Sequence, residues 1–479
     1  MRYRASGVAG YNAAPAGRRG SGVDGKEQNM AGAAAQRANG EVSEVERRTM
    51  KHVALRIVPF LMLCFLVNFI DRINVGMAAL TMNRDIGLKP TELAFGVSLF
   101  FAAYVTFGVP SNLALERVGA RRWMALIIVS WGLVSMGTAF IVGTKSYYIN
   151  RLLLGLAEAG FLPGSILFMS YWFPSAYRAK MISIFAMAMP FSGFIGSPIS
   201  GLLLGMHGIL GLRGWQWLFL LEAFPAILLG VMAVFYLSDR PSQAKWLKPE
   251  EQGWLLGRLE AERHAAAERR AASSSKPEMS SFRSLLNPRV FMLSFVYTGS
   301  AGTSAALYIW QPTILKSFGL TNFQTGLITG IPFGIGCVGM VLWGRHSDHG
   351  AERVWHTAIP LLTVSAGLAL SVASHSLLPT VIGLSLAVLG VYSIKGPFFA
   401  LCTEWLPASV AAGGIGLING IGNIAGGVCP YVLAWFKQHT GSFPAGLLAL
   451  SCLGLVCGVL TVLTVRSDKA TAARSSGAA

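Results

Sequence analysis

The sequence predicts an all-α membrane protein of twelve transmembrane helices in two pseudo-symmetric six-helix bundles. Three observations carry that prediction. Hydrophobic residues make up 53% of the chain and charged residues only 13%, with a mean hydropathy of +0.53, which sets it apart from soluble domains. Twelve apolar stretches follow one another at 54–78, 93–115, 123–143, 149–173, 181–206, 215–237, 290–311, 322–343, 355–374, 377–402, 411–436 and 444–465. Each is close to the ~20 residues at 1.5 Å rise that cross a ~30 Å hydrocarbon core. One long polar stretch divides them six and six.

The organisation expected from these patterns is a disordered cytoplasmic tail over 1–53 and an N-terminal six-helix bundle over 54–238. A cytoplasmic linker with an amphipathic helix follows at 239–288, then a C-terminal six-helix bundle at 289–466 and a cytoplasmic tail at 467–479. The N-terminal tail is rich in Ala, Gly and Arg without apolar periodicity, a composition that cannot bury a core. Within the linker, PEEQGWLLGRLEAERHAAAERR (249–270) reads as a helix opened by Pro249, with Glu250 and Glu251 in its first turn against the positive end of the dipole. A Ser-rich run, SSSKPEMSS, precedes the seventh span.

A formal charge of +17 would suit a nucleic-acid partner, but its distribution points elsewhere. Of the 39 Lys and Arg residues, 30 fall in segments on one side of the membrane. Arg84, Lys89, Lys145, Arg213, Lys316 and Lys437 fall on the other side, and Arg72, Arg151 and Lys395 inside spans. This is the positive-inside asymmetry, which predicts cytoplasmic termini and an inner (plasma) membrane location. No nucleic-acid partner is implied. The six cysteines all lie in apolar spans without C-x-x-C spacing, so neither a disulfide framework nor a metal site is indicated. No H-E-x-x-H pattern and no phosphate loop occurs, and no cofactor is expected.

The two halves echo each other. PSNLALERVGARRW (110–123) follows the second span and WGRHSDHGAERVWH (343–356) the eighth; each is a short basic turn with an acidic residue and arginines. These turns supply the candidates for a loop that moves with conformation: Asn112, Glu116, Arg117, Arg121 and Arg122 in the first half, Arg345, Asp348 and Arg353 in the second. Half-to-half repetition of hydrophobic segments is the sequence sign of a secondary transporter.

The chemistry concentrates in RLLLGLAEAGFLPGSILFMSYWF (151–173). Arg151 and Glu158 are seven residues apart, so they leave one helix face about 10 Å apart along the axis. An ionised side chain at mid-membrane costs roughly 2.5–3.5 kcal/mol even on a gentle scale. Two readings follow: a packing ion pair between helices, or an arginine that holds an anion beside a carboxyl that carries a proton. Arginine suits a carboxylate because its planar fork binds bidentately and does not deprotonate. A proton carrier needs a group whose affinity responds to burial and to approaching charge, and a carboxyl near an arginine has both influences. Asp71 and Arg72 pose the same choice in the first span, expected in its outer third. Adjacent helical residues point ~100° apart, so one should face the cavity and the other a neighbouring helix.

At these residues the chain resembles the major facilitator superfamily, specifically its anion:cation symporter branch. The resemblance covers about 54–466 and rests on NFIDRINVGMAAL (68–80), PSNLALERVGARRW, RLLLGLAEAGFLPGSILFMSYWFP (151–174), RGWQWLFLLEAFPA (213–226), MVLWGRHSDHGAERVWH (340–356), GPFFALCTEWLP (396–407) and INGIGNIAGGVCPY (418–431). These segments look closest to bacterial carriers of tartrate-, phthalate- and hydroxyphenylacetate-type acids. The resemblance implies proton coupling by Asp71 and Glu158, and an anion-binding or gating role for Arg72 and Arg151. The common facilitator loop appears here with Asn112 and Glu116, as is usual in this branch, whereas Lys395 is a charge the family does not generally carry.

Further candidates for the substrate site are Lys395, in the inner half of the tenth span, where it either meets substrate or snorkels to the cytoplasm, and Asn419 and Asn423, at i, i+4 on the eleventh. Tyr104, Tyr308 and Gln311 are candidates to line the cavity, with core packing as the alternative. Glu222 reads as structural. Glycine runs at 193–205 and 413–427 let helices approach and slide. The sequence is therefore read as a monomeric carrier that imports a small organic carboxylate with protons by alternating access. A sugar-acid or vitamin-type anion carrier with the same site, and a non-translocating sensor, are the alternatives. An enzyme is disfavoured, because no nucleophile–base or metal constellation lies in the spans.

Overall fold

A computed structural model describes residues 24–273, 287–350, 352–406 and 408–476 of the chain. Its described residues are helical, with no β-strand among them. Among the described residues, twelve helices are long and apolar enough to cross a membrane: α1 (Glu44–Ile86), α2 (Pro90–Val118), α3 (Ala120–Phe140), α4 (Thr144–Trp172), α5 (Ser175–Met206) and α6 (Gly214–Tyr236), then α7 (Pro288–Lys316), α8 (Asn322–Gly350), α9 (Val354–Ala373), α10 (Leu377–Trp405), α11 (Gly413–Thr440) and α12 (Pro444–Thr464). This is a multi-pass membrane protein. Large apolar side chains stay exposed on the outward faces, among them Val142, Phe140, Phe235 and Leu378, as a surface solvated by lipid requires. Proline opens α2, α7 and α12 at the first helical position, where no backbone N–H is needed. Asn287 caps α7 by accepting from the Arg289 backbone N–H.

Of the N-terminal tail, residues 1–23 lie outside the described residues. Helix runs from Asp24 without a break into α1, because AGAAAQRANGEVSEVERR is rich in strong helix formers and needs no apolar periodicity to propagate from an existing helix. The C-terminal helix likewise continues to Ser476. The Ser-rich run lies mostly outside the described residues. The linker helix (Pro249–Ser273) forms as expected and docks beneath the N-terminal half. Arg48 meets Glu250 at 2.7 Å and Glu251 at 3.0 Å, and His52 meets Glu251 at 3.0 Å. These carboxylates therefore hold α1 as well as complementing a helix dipole.

Three helices that the sequence reads as continuous are broken: α5 at Met187, between Ala186 and Ala188, and, at charged residues, α4 and α10. The α-helix of α4 stops at Glu158 and restarts at Phe161; that of α10 stops at Ser393 and restarts at Lys395. Each of these two breaks precedes a proline, Pro163 or Pro397, and adjoins a glycine, Gly160 or Gly396. They stand at corresponding places in the two halves, and each has a charged residue at its edge, Glu158 or Lys395.

Twelve crossings bring both termini to one side, called here the terminus side, with the far side opposite. The halves meet over the far half of the membrane. A Cβ on Gly76 of α1 would lie 2.2 Å from the Tyr308 carbonyl oxygen of α7, and one on Gly326 of α8 would lie 2.3 Å from the Ser197 carbonyl oxygen of α5. Ser98 of α2 donates to the Gly427 carbonyl of α11 at 2.9 Å, and Thr91 to Gln438 at 2.6 Å. One apolar core accordingly joins far-side residues of both halves, including Val75, Met82, Leu307 and Trp310. Toward the termini the cores separate, with one in the N-terminal half around Phe65, Phe168 and Trp172 and another in the C-terminal half around Val296, Phe398 and Ile418. Gly416 and Gly420, on the terminus-side stretch of α11, have open space where a Cβ would go. The molecule is closed on the far side and open on the terminus side.

Because the far-side seal is backbone against backbone, one methyl-bearing side chain should spoil it. Gly326→Val is expected to overpack the α5–α8 contact by about 1–3 kcal/mol, lowering the closed-to-open ratio by roughly 5- to 150-fold. A membrane-impermeant maleimide applied from the far side should then label a cysteine at Ser98, in a background without native cysteines, several-fold faster than in the parent. Equal labelling rates would mean that the seal does not depend on this approach.

Candidate functional site

The deep charges sit where α1, α2 and α4 face α7. Asp71, Arg72, Val97, Phe100, Arg151 and Tyr308 are among the residues bounding a small cavity of about 30 Å3. The cavity lies at the level where the far-side seal ends.

Arg72 and Glu158 form an ion pair between α1 and α4. The Arg72 guanidinium is also ringed by aromatic faces, 4.7 Å from the Tyr104 ring centre, 5.2 Å from Phe69 and 5.3 Å from Phe100, so cation–π attraction supplements the pair. For Glu158 this contact is a packing ion pair between helices, with Arg72 of α1 as the partner, while Arg151 stands about 10 Å away along α4. It corrects one expectation. Asp71 and Arg72 do not lie in the outer third: α1 continues as helix to Ile86 through the polar run TMNRD, and Arg72 lies at the depth of Glu158, in mid-span.

The adjacent pair splits as helix geometry demands. Asp71 turns away from Arg72 and accepts from Ser135 of α3 at 3.0 Å and from Asn74 at 3.3 Å, while its Oδ2 has no partner. A salt bridge between Asp71 and Arg72 is not what holds α1. Arg151 is 4% exposed, stands 5.3 Å from the Tyr147 ring centre, and has no partner at Nε or Nη2 among the described residues.

From the other half, Tyr308 reaches the cavity and hydrogen-bonds Ser304 and, at 3.0 Å, the Tyr392 hydroxyl. Lys395 lies 5.7 Å from the Tyr392 ring centre and within electrostatic reach of Arg72. It faces inward from the α10 break and does not snorkel to the surface.

Other candidates stand apart from this cluster. Gln311 is fully buried between α7 and α8, its amide donating to the Thr329 carbonyl at 3.0 Å; it lies toward the far side, where these helices are already sealed. Asn423 donates to the Asn419 carbonyl of its own helix at 2.9 Å, and neither residue lines the cavity. The two loops also differ. Arg353 holds Asp348 at 2.9 Å, Glu404 at 3.4 Å and the Ser347 hydroxyl at 2.8 Å. In the first half, Glu116, Arg117 and Arg122 make no ion pair with any described residue, Asn112 Oδ1 is buried without a partner, and the Arg121 backbone N–H donates to Asp239 at 2.8 Å. Arg345 contributes its carbonyl to His349.

Sequence reasoning missed Ser135, Tyr147 and Tyr392, which carry no distinguishing pattern, and Asp239, which follows α6. Asn74 had a signal: it lies one turn from Asp71 in NFIDRIN.

The Arg72–Glu158 pair makes its own prediction. Arg72→Ala leaves a carboxylate buried and uncompensated, a loss of about 3–5 kcal/mol. The thermal midpoint of the purified protein in detergent should fall sharply, and adding Glu158→Gln should restore much of it. A double variant no more stable than Arg72→Ala would show that the two charges are not energetically coupled.

Comparison with known proteins agrees with this architecture. Residues 61–430 match the model of the Major Facilitator Superfamily. The chain is 45% identical over 425 residues to a protein of Agrobacterium vitis named "Putative tartrate transporter", covering 89% of this chain and 96% of that one. It is 32% identical over 425 residues to the inner membrane transport protein RhmT of Escherichia coli K12, covering 88% and 96%. Among solved structures, the inward open xylose transporter XylE from E. coli shares the fold with a TM-score of 0.67 at 14% identity, over 85% of this chain and 95% of that one. With twelve spans in two halves, a mid-membrane charge cluster between them, and relatives named as transporters and not as enzymes, the chain belongs to the major facilitator superfamily of membrane transporters.

Proposed function

We propose that the protein carries a small organic carboxylate, a dicarboxylate of the tartrate type, in symport with protons by alternating access. One observation carries the reading. Arg151 is buried at the cavity with Nε and Nη2 unpartnered among the described residues, whereas the neighbouring Arg72 is already neutralised by Glu158. A buried guanidinium that has no carboxylate of its own is best satisfied by one brought in from outside, and its fork accepts a carboxylate bidentately. Lys395, from the opposite half, supplies a second cation without an acidic partner. A dianion bridging Arg151 and Lys395 would draw the halves together, which a monoanion could not do as well. The tartrate transporter name of the 45%-identical relatives supports this substrate class.

Coupling follows from competition for the arginines. Substrate that attracts Arg72 leaves Glu158 a buried charge, and substrate that takes the field of Arg151 leaves Asp71 in the same position. A carboxyl left so is relieved by taking a proton. When substrate departs, the arginines return and favour the ionised carboxylates again. The halves then rock about the cavity, opening one side as the other seals. The excess of Lys and Arg in terminus-side segments supports cytoplasmic termini in an inner membrane, with the monomer as the working unit.

Two measurements test the proposal. Uptake of L-tartrate into liposomes holding the purified protein should rise with an inward proton gradient and collapse with a protonophore. Equal rates under all gradients, sodium included, would point to a uniporter or exchanger. Arg151→Lys keeps the charge but loses the rigid fork, so tartrate affinity by calorimetry should fall at least about tenfold, equivalent to ~1.4 kcal/mol, with the thermal midpoint unchanged. Unchanged affinity with lowered stability would move Arg151 from substrate to scaffold.

A further inference from the structure

The coupling just described leaves one buried acid unused. Glu222, on α6, is 6% exposed, and no cation pairs with it among the described residues. Ser200 of α5 donates to its Oε1 at 2.6 Å, while Oε2 has no partner. The Asn74 side chain lies against this carboxyl and also donates to Asp71 at 3.3 Å. The amide is bonded to Asp71 and stands near Glu222. Ser135 supplies a further donor to Asp71, as Ser200 does to Glu222. The charge that acts directly on Glu222 is that of Asp71; beyond Asp71 stand Arg151 and Glu158, and Glu158 is held by Arg72.

The deep charges of the described spans then balance. Three are cations, Arg72, Arg151 and Lys395, and three are carboxyls, Asp71, Glu158 and Glu222. With the cavity empty and all six ionised, the cluster is neutral. A dianion entering this low-dielectric space adds two negative charges, and neutrality returns when two carboxyls take up a proton each. With only two carboxyls present, the empty cluster would carry one positive charge, and one proton would suffice.

We propose that Glu222 is a proton-binding residue of the transport cycle, with Asn74 beside both it and Asp71, and that it sets the proton count at two for each dianion. The inference rests on the proton-symport reading above. In the step itself, one O–H bond forms on a carboxylate oxygen of the Asp71–Glu222 pair as substrate enters. The same bond breaks when substrate leaves, the proton departing by way of the cavity that Asp71 lines. Ser135 and Asn74 hold Asp71 when it is ionised, and Ser200 holds Glu222.

The test uses the full-length protein in liposomes with L-tartrate as the probe and an entrapped pH dye. The wild type should move two protons per tartrate and be insensitive to membrane potential. Glu222→Gln should move one, its accumulation under a one-unit pH gradient should fall about tenfold, and its uptake should now be slowed by an inside-negative potential. Glu222→Met gives a second neutral variant if Gln impairs folding, and Glu222→Asp should keep two protons. Neutral variants that retain two protons and no response to potential would overturn the inference and return Glu222 to a structural role. Wild-type tartrate uptake without protons would instead overturn the symport reading, and the inference with it.

Discussion

A charge in mid-membrane is tolerated only while something answers it, and the geometry of this protein follows from how its charges are answered. Arg72 and Glu158 answer each other across α1 and α4. That contact fixes the depth of both helices, directs Asp71 to α3, and leaves Arg151 as the guanidinium with open valences at the cavity. Breaking such a pair from either side leaves an uncompensated buried charge, a penalty of several kcal/mol. The same sensitivity that makes the pair a structural tie makes it a switch: whatever competes for Arg72 must bring a proton to Glu158 or meet that cost.

The seal and the charge cluster are built from different materials. On the far side, glycines at 76, 201, 326 and 427 allow backbones to touch, and apolar side chains of both halves merge into one core. Such contacts depend on shape and carry little charge, so they can part and re-form as rigid surfaces. The cluster below them depends on electrostatic balance. Substrate and protons act on the cluster, and the breaks at Glu158 and Lys395 put charged residues where each half bends. Binding chemistry and helix geometry thus meet at the same two positions, one in each half.

The linker helix adds a polar attachment to this plan. Glu250 and Glu251 bind Arg48 and His52 at the start of α1, and Glu262 accepts from Ser175 at the start of α5. These hydrogen bonds and ion pairs all reach the N-terminal half, so the described part of the linker is fastened to the bundle it follows.

The sequence by itself determined the number of spans, their division into two sixes and the identity of the charges that matter. Hydrophobic length and the rarity of charge in apolar runs are local properties, and they survive in one dimension. Asp71, Arg72, Arg151 and Glu158 stood out for that reason, and Lys395 likewise. Only the tertiary structure decided who partners whom. Arg151 and Glu158 share a helix face, yet Glu158 belongs to Arg72, because helix packing brings residues 86 positions apart into contact while the 1.5 Å rise keeps neighbours two turns apart from touching. Gln311 looked like a cavity residue and is sealed between helices. Asn423 looked like a donor to substrate and bonds its own helix. The α4 and α10 breaks left only a glycine and a proline as their trace. Tertiary structure also decided which end is open, since closure depends on which backbones meet and composition is blind to that.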